Sequence, residues 1–106
     1  GRGDCYLYAL SGGELVREKV FPKLGKYAAN ALFSSDETSA FFGLESEEGE
    51  IVEVELATGE ILWRSSPVGK TAERLAWLEG GRILALHSSG VVAIWQERGM
   101  ENRAQD

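Results

Sequence analysis

Gly49-Glu50-Ile51-Val52-Glu53-Val54-Glu55-Leu56-Ala57-Thr58-Gly59-Glu60-Ile61-Leu62-Trp63-Arg64 is the stretch on which the reading of this chain turns. Val52, Val54 and Leu56 fall on one face of an extended segment. Ile51, Glu53 and Glu55 fall on the other, at the period of two that a strand imposes. Ala57-Thr58-Gly59 is a turn, with Gly59 free to take the positive φ of a short hairpin loop. Glu60 to Arg64 is then the return strand, carrying the large aromatic Trp63.

Weaker copies of this unit lie on both sides. Cys5 to Leu10 reads as a strand, Ser11-Gly12-Gly13 as a turn and Glu14 to Phe21 as the return strand, ended by Pro22, which has no N–H for a ladder. Lys23 to Lys26 form a loop. Ala28 to Phe33 and Thr38 to Leu44 are strands about the turn Ser34-Ser35-Asp36-Glu37. The acidic loop Glu45-Ser46-Glu47-Glu48-Gly49 leads into the hairpin quoted above, and Ser65 to Lys70 lead out of it. Ala72 to Leu78, Arg82 to His87 and Val91 to Trp95 complete the set, separated by Glu79-Gly80-Gly81 and Ser88-Ser89-Gly90. Thr71 to Glu79 also has the caps of a short helix, Thr71 before it and Gly80 after it. The repeat decides against the helix.

Gly25-Lys26-Tyr27-Ala28 and Gly69-Lys70-Thr71-Ala72 stand 44 residues apart, and the same offset sets Phe33 on Trp77. Leu10, Gly13, Glu14 and Leu15 match Leu56, Gly59, Glu60 and Ile61 at 46, while Val52 and Val54 match Val92 and Ile94 at 40. A period of this size belongs to a four-stranded propeller blade. The expected fold is therefore all-β, with antiparallel four-stranded propeller-type blades, about 2 to 2.5 of them per chain. Residues 1–96 form one repeat module: a partial blade over 5–21, a full blade over 28–64 and a partial blade over 72–96. Residues 97–106 form a polar tail.

Two family resemblances carry the same message. Ala31-Leu32-Phe33-Ser34-Ser35-Asp36-Glu37-Thr38-Ser39-Ala40-Phe41 resembles the first hairpin of a WD-repeat blade, with its apolar-Phe-Ser-Pro-Asp-Gly turn. So does Leu75 to Ala85, and Ser89 to Gln96 resembles the third strand of that family, with Gln96 where Asp ends the Trp-Asp pair. The family's buried Ser/Thr–His–Asp–Trp network is not implied here. Only Trp95 matches it; His87 stands at the Ser/Thr position and Ser89 at the Asp position. Glu55 to Trp63 is similar to the quinoprotein-type propeller repeat, in which Asp, Thr-Gly and Trp recur at these spacings. Thr58, Gly59 and Trp63 match, and Glu55 replaces the Asp; Arg17 stands at the Trp position of the first copy. That resemblance implies that Trp63 packs between blades. Trp77, Trp95 and Phe33 are expected to do the same.

Composition narrows the function. The chain has 106 residues, 43% hydrophobic and 26% charged, with a net charge of -6. That balance points away from nucleic acid, which needs clustered Lys and Arg. No apolar run approaches the length of a membrane-spanning helix, so no membrane partner is expected. Gly1 opens the chain without Met or a visible signal peptide, which fits a processed, excised or engineered piece. One cysteine, Cys5, forms no internal disulfide and reads as a small buried hydrophobe. Arg2-Gly3-Asp4 spells an adhesion tripeptide but sits at a terminus, where coincidence explains it.

Catalytic chemistry finds little to work with. Gly69-Lys70-Thr71 is the tail of a phosphate loop, but that motif needs Gly where Arg64 stands and a helix after it, so this is a surface loop. His87, the only histidine, provides neither a triad nor a multi-histidine metal site and is expected at a strand end in a structural role. No catalytic residue, metal site or cofactor is expected. Glu45, Glu47, Glu48, Glu50, Glu53 and Glu55 form an acidic run without an intervening Lys or Arg. It reads either as a solvated edge that resists aggregation or as a surface for a basic protein; calcium loops need a different pattern.

A closed propeller has about four to eight blades, more than this chain holds. The expected function is a non-catalytic interaction or assembly module. It completes a propeller with copies of itself, as a homo-oligomer, or belongs to a larger one; a sandwich-like packing of its sheets is a third outcome. The alternative is a fragment of a quinoprotein-type propeller that binds a cofactor or small ligand.

Overall fold

The computed structural model describes residues 5–21 and 28–97, and for the strands of the first hairpin it describes the backbone alone. The Arg2-Gly3-Asp4 tripeptide, Pro22 with the Lys23–Lys26 loop, the Gly25-Lys26-Tyr27 half of the repeat and the tail beyond Glu97 lie outside the described residues. The side chains of Cys5 and Arg17 do as well. The described part is all-β, with nine strands in three antiparallel sheets.

β1 (Cys5–Ser11) and β2 (Glu14–Phe21) form a hairpin. The central sheet is a meander of β3 (Ala28–Phe33), β4 (Ser39–Leu44), β5 (Ile51–Glu55) and β6 (Ile61–Arg64). The third sheet, here the terminal sheet, is β7 (Ala72–Leu78), β8 (Arg82–His87) and β9 (Val92–Gln96). The helical alternative over Thr71 to Glu79 is β7. Its alternation of apolar Ala72, Leu75 and Trp77 with exposed Glu73, Arg74 and Ala76 suits a sheet with one covered face.

The register brings the two larger sheets into detailed correspondence. In the central sheet the rows run Phe33–Ala40–Val54, Leu32–Phe41–Glu53, Ala31–Phe42–Val52 and Asn30–Gly43–Ile51. In the terminal sheet they run Trp77–Ile83–Trp95, Ala76–Leu84–Ile94, Leu75–Ala85–Ala93 and Arg74–Leu86–Val92. Both sheets carry an irregularity at the same place, between Ala28 and Asn30 and between Ala72 and Arg74. Phe33 therefore corresponds to Trp77, as the sequence offset expects. Val52 and Val54 do not correspond to Val92 and Ile94. They fall on Ala93 and Trp95, one residue further along, because the loops differ in length. In a strand, one residue is a change of face.

Successive rows point to opposite faces. One face of the central sheet gathers Ala40, Phe42, Leu44, Val52 and Val54 into a buried cluster, with Ala28 and Leu56 against it. The other face presents Leu32, Phe41, Ile51 and Trp63. It packs on Ala72, Leu75, Trp77, Ile83, Ala85, Ala93 and Trp95 of the terminal sheet. Both faces of the central sheet are thus core, which is why Ser39–Leu44 is buried at every position.

Candidate interaction surface

The junction between the two sheets is an aromatic stack. Phe41 meets Trp63 and Trp77 edge-on, with ring centroids 6.3 and 5.9 Å apart. Trp63 meets Trp95 at 5.7 Å in the same manner, the arrangement that the ring quadrupole favours. Trp63, Trp77 and Trp95 therefore all lie between the sheets, with Phe41 joining Trp77 to Trp63 and Trp63 leading on to Trp95. Phe33 departs from expectation. It shares a row with Ala40 and so sits on the face turned away from the terminal sheet, where it is 50% exposed. Its backbone takes part instead, its carbonyl accepting a 2.8 Å hydrogen bond from Trp77 Nε1. Near this end Ser35 Oγ and N donate to the two carboxylate oxygens of Glu97, at 2.7 and 3.2 Å.

The first strand of the terminal sheet approaches through a gap in the central one. A Cβ on Gly43 would stand 2.8 Å from the Ala72 carbonyl oxygen. Asn30 Nδ2, in the same row, donates to that oxygen at 2.8 Å.

At the opposite end, the acidic β4–β5 loop is bound to the connector before β7. Val68 N and Gly69 N donate to the Glu48 carbonyl, and Lys70 N donates to that of Glu47. Ser46 N donates to Thr71 Oγ1 at 3.1 Å. His87 closes the joint: it is 2% exposed, and its Nδ1 lies 2.8 Å from the Lys70 carbonyl oxygen. Since that oxygen only accepts, Nδ1 carries the proton. Register places His87 where the central sheet has the buried Leu44, and it is the last residue of β8, the strand end expected of it. Gly69-Lys70-Thr71 runs into a strand rather than a helix, and Lys70 Nζ pairs at the surface with the Glu47 carboxylate at 2.5 Å.

The six glutamates of the acidic run do not form one surface. Glu45, Glu47 and Glu48 are exposed on the loop. Glu50 is half-buried and pairs with Arg64 Nη1 at 3.1 Å, so the fold supplies cations that the run itself lacks. Glu55 braces the hairpin turn: its Oε1 accepts from Thr58 Oγ1 at 2.7 Å, and Thr58 Oγ1 accepts from Glu60 N at 3.1 Å. Glu53 is a correction. Expected on the surface, it is 2% exposed, and its Oε2 accepts a 2.5 Å hydrogen bond from the buried Ser39 hydroxyl. The reason is its row, Leu32–Phe41–Glu53, which faces the terminal sheet.

Among the described residues, an exposed apolar face lies elsewhere. The rows of the terminal sheet that point away from the central sheet carry Leu84, Leu86, Val92 and Ile94. Val92 and Ile94 are 56% and 54% exposed, and Leu86 is 38% exposed. Sequence reading missed this face because Val91-Val92-Ala93-Ile94-Trp95 is apolar throughout and shows no alternation. The β8–β9 register alone tells the covered residues from the open ones.

Among the described residues, no group of three or more His, Cys, Asp or Glu is arranged to hold a metal ion. Comparison with protein-family models and with curated proteins found no match.

Proposed function

We propose that this chain is a non-catalytic repeat module of the β-propeller type, serving protein–protein interaction or assembly. One observation carries the reading. The face of the central sheet that meets the terminal sheet is the same face, by register, that the terminal sheet turns outward. The sheets therefore stack head to tail, each offering the same side in the same direction. Such a heterologous stack continues by adding further sheets until it closes on itself. Propeller blades are arranged this way, and a stack of two leaves an apolar face open at its end. The module then completes a propeller with copies of itself or as part of a larger one. The aromatic junction of Phe41, Trp63, Trp77 and Trp95 is the contact between neighbouring blades in this reading.

The test is the solution mass. Sedimentation velocity over a wide concentration range is expected to show species heavier than one chain, growing with concentration. A well-dispersed monomer at every concentration would sink self-assembly as the function.

A further inference from the structure

Resting on that reading, we infer that the outer face of β9, Val92 and Ile94 with Leu84 and Leu86 beside them, is the seat for the β1–β2 hairpin of a second copy of this chain.

Three features of the junction between the central and terminal sheets lead there. First, Leu84, Leu86, Val92 and Ile94 occupy the positions that Phe41, Gly43, Ile51 and Glu53 hold in the central sheet, where a sheet of this same chain covers them. The kind of element that covers such a face is thus a sheet of this repeat. Second, outer strands lie over outer strands at that junction, since Trp95 of β9 packs on Trp63 of β6. An incoming third-and-fourth-strand unit would by the same rule lie over β9, which carries the two most exposed residues of the face.

Third, the two corresponding faces differ at one position. Gly43 is what lets β7, the first strand of its sheet, come within contact of the central sheet. In the terminal sheet that position is Leu86. A full sheet with a first strand of its own would collide there, whereas a unit that lacks a first strand would not. Among the described residues the β1–β2 hairpin is such a unit: its sequence matches the β5–β6 hairpin from Leu10 and Gly13 onward, and these residues form a two-stranded sheet. Docking of one copy's leading hairpin on the next copy's terminal sheet is heterologous, so it builds a ring or a filament rather than a symmetric pair.

The experiment combines a variant with a crosslinking map, on the whole chain. In Val92→Lys/Ile94→Lys, two charges enter the seat, and the dissociation constant for assembly is expected to weaken at least ~100-fold. The near-ultraviolet circular dichroism of Trp63, Trp77 and Trp95, all on the other side of the sheet, is expected to stay unchanged. If that variant unfolds, Val92→Thr/Ile94→Thr keeps the β-branched shape and is expected to weaken assembly by about tenfold. A photoreactive benzoylphenylalanine at position 94, in a mixture of isotope-labelled and unlabelled chains, is expected to crosslink to residues 5–21 of another copy. Assembly of a folded variant at wild-type strength overturns the seat, as do intercopy crosslinks that fall only outside 5–21. Either result leaves the assembly reading in place. A wild-type chain that never exceeds a monomer overturns both.

Discussion

Replacing Gly49 by alanine isolates what holds the two ends of the loop junction together. Gly49 has φ 71° and is buried. A Cβ there would stand 2.1 Å from the Lys70 carbonyl oxygen, 3.0 Å from His87 Nδ1 and 3.1 Å from the Gly69 carbonyl carbon. The first of these is backbone, and it cannot retreat freely. Lys70 is itself held at φ 63°, and its carbonyl is the partner of the buried His87 ring. The left-handed backbone costs a residue with a side chain about 1–2 kcal/mol. Forcing a methyl group into a filled space adds about 1–3 kcal/mol, and stranding the His87 N–H adds about 1–3 kcal/mol if the carbonyl yields. With all three contributions the expected loss is about 3–8 kcal/mol, a large part of the ~5–15 kcal/mol that holds a domain of ordinary stability. Gly80→Ala and Gly90→Ala provide the reference. Both glycines have positive φ, 76° and 91°, with nothing within 4 Å of the added Cβ. They are expected to show the backbone term alone, about 1 kcal/mol after the entropy glycine loses on folding is returned. Urea unfolding followed by tryptophan fluorescence, at one protein concentration so that assembly does not enter the comparison, reads all three. A Gly49→Ala variant within 1 kcal/mol of these two references would refute the argument that the junction is packed against backbone.

Ser39→Ala removes the hydroxyl that donates to the buried Glu53 side chain and is expected to cost about 1–3 kcal/mol in the same urea assay, the range for leaving a buried acceptor without its donor; a loss within the error of the fit would mean that Glu53 is held by its other contacts. Glu37→Gly is expected to raise stability by about 1 kcal/mol, because Glu37 adopts φ 61° in the β3–β4 turn, where a glycine carries no Cβ penalty; a lowered unfolding midpoint would show that the glutamate side chain matters there. Asp36 gives a pH signature. The Thr38 hydroxyl foremost, then the Thr38 amide and the Ser34 hydroxyl, hold its carboxyl at about 2 instead of the usual 3.8. A carboxyl lowered in the folded state stabilises it above the unfolded value, and that contribution is lost as pH falls from 3.8 towards 2. Unfolding midpoints measured across that interval should therefore fall more steeply for the parent than for Asp36→Asn, and parallel curves would contradict the turn's hydrogen bonding.

The strands were legible because their ends are marked. Every hairpin turns on glycine or on a short polar run, and every strand between is β-branched, aromatic or aliphatic. The rival helix over 71–79 failed for a reason outside its own sequence: Ala72, Leu75 and Trp77 find their partners on β8 and across on Phe41. Propensity is the weaker term when packing of this kind is available. The spacing of Phe33 and Trp77 was likewise readable, because no loop separates the first strands from their repeat marker. Past the first turn, loop lengths differ between the two units, and the match of Val52 and Val54 slips by one residue. Only hydrogen bonding across the sheet restores it.

That slip explains why the surface was harder to read than the fold. Alternation identifies an inside and an outside only when a sheet has one of each. The central sheet has two insides, so a glutamate in alternation with valines is not thereby exposed, and Glu53 lies buried beside Phe41 and Trp63. The terminal sheet has an apolar outside, so Val92 and Ile94 look in sequence like any core pair. Both misreadings follow from the same condition: each of these sheets carries apolar residues at both parities. The acidic run then loses its continuity and the β9 strand gains a surface. The most informative polar residue in the chain becomes Glu53, a carboxylate placed between stacked sheets where its counterpart, Ile94, is exposed and aliphatic. A face that carries a carboxyl group and one that carries only aliphatic side chains differ in what can lie against them. This difference, together with Gly43 against Leu86, sets the covered face of the central sheet apart from the outward face of the terminal sheet although their registers correspond.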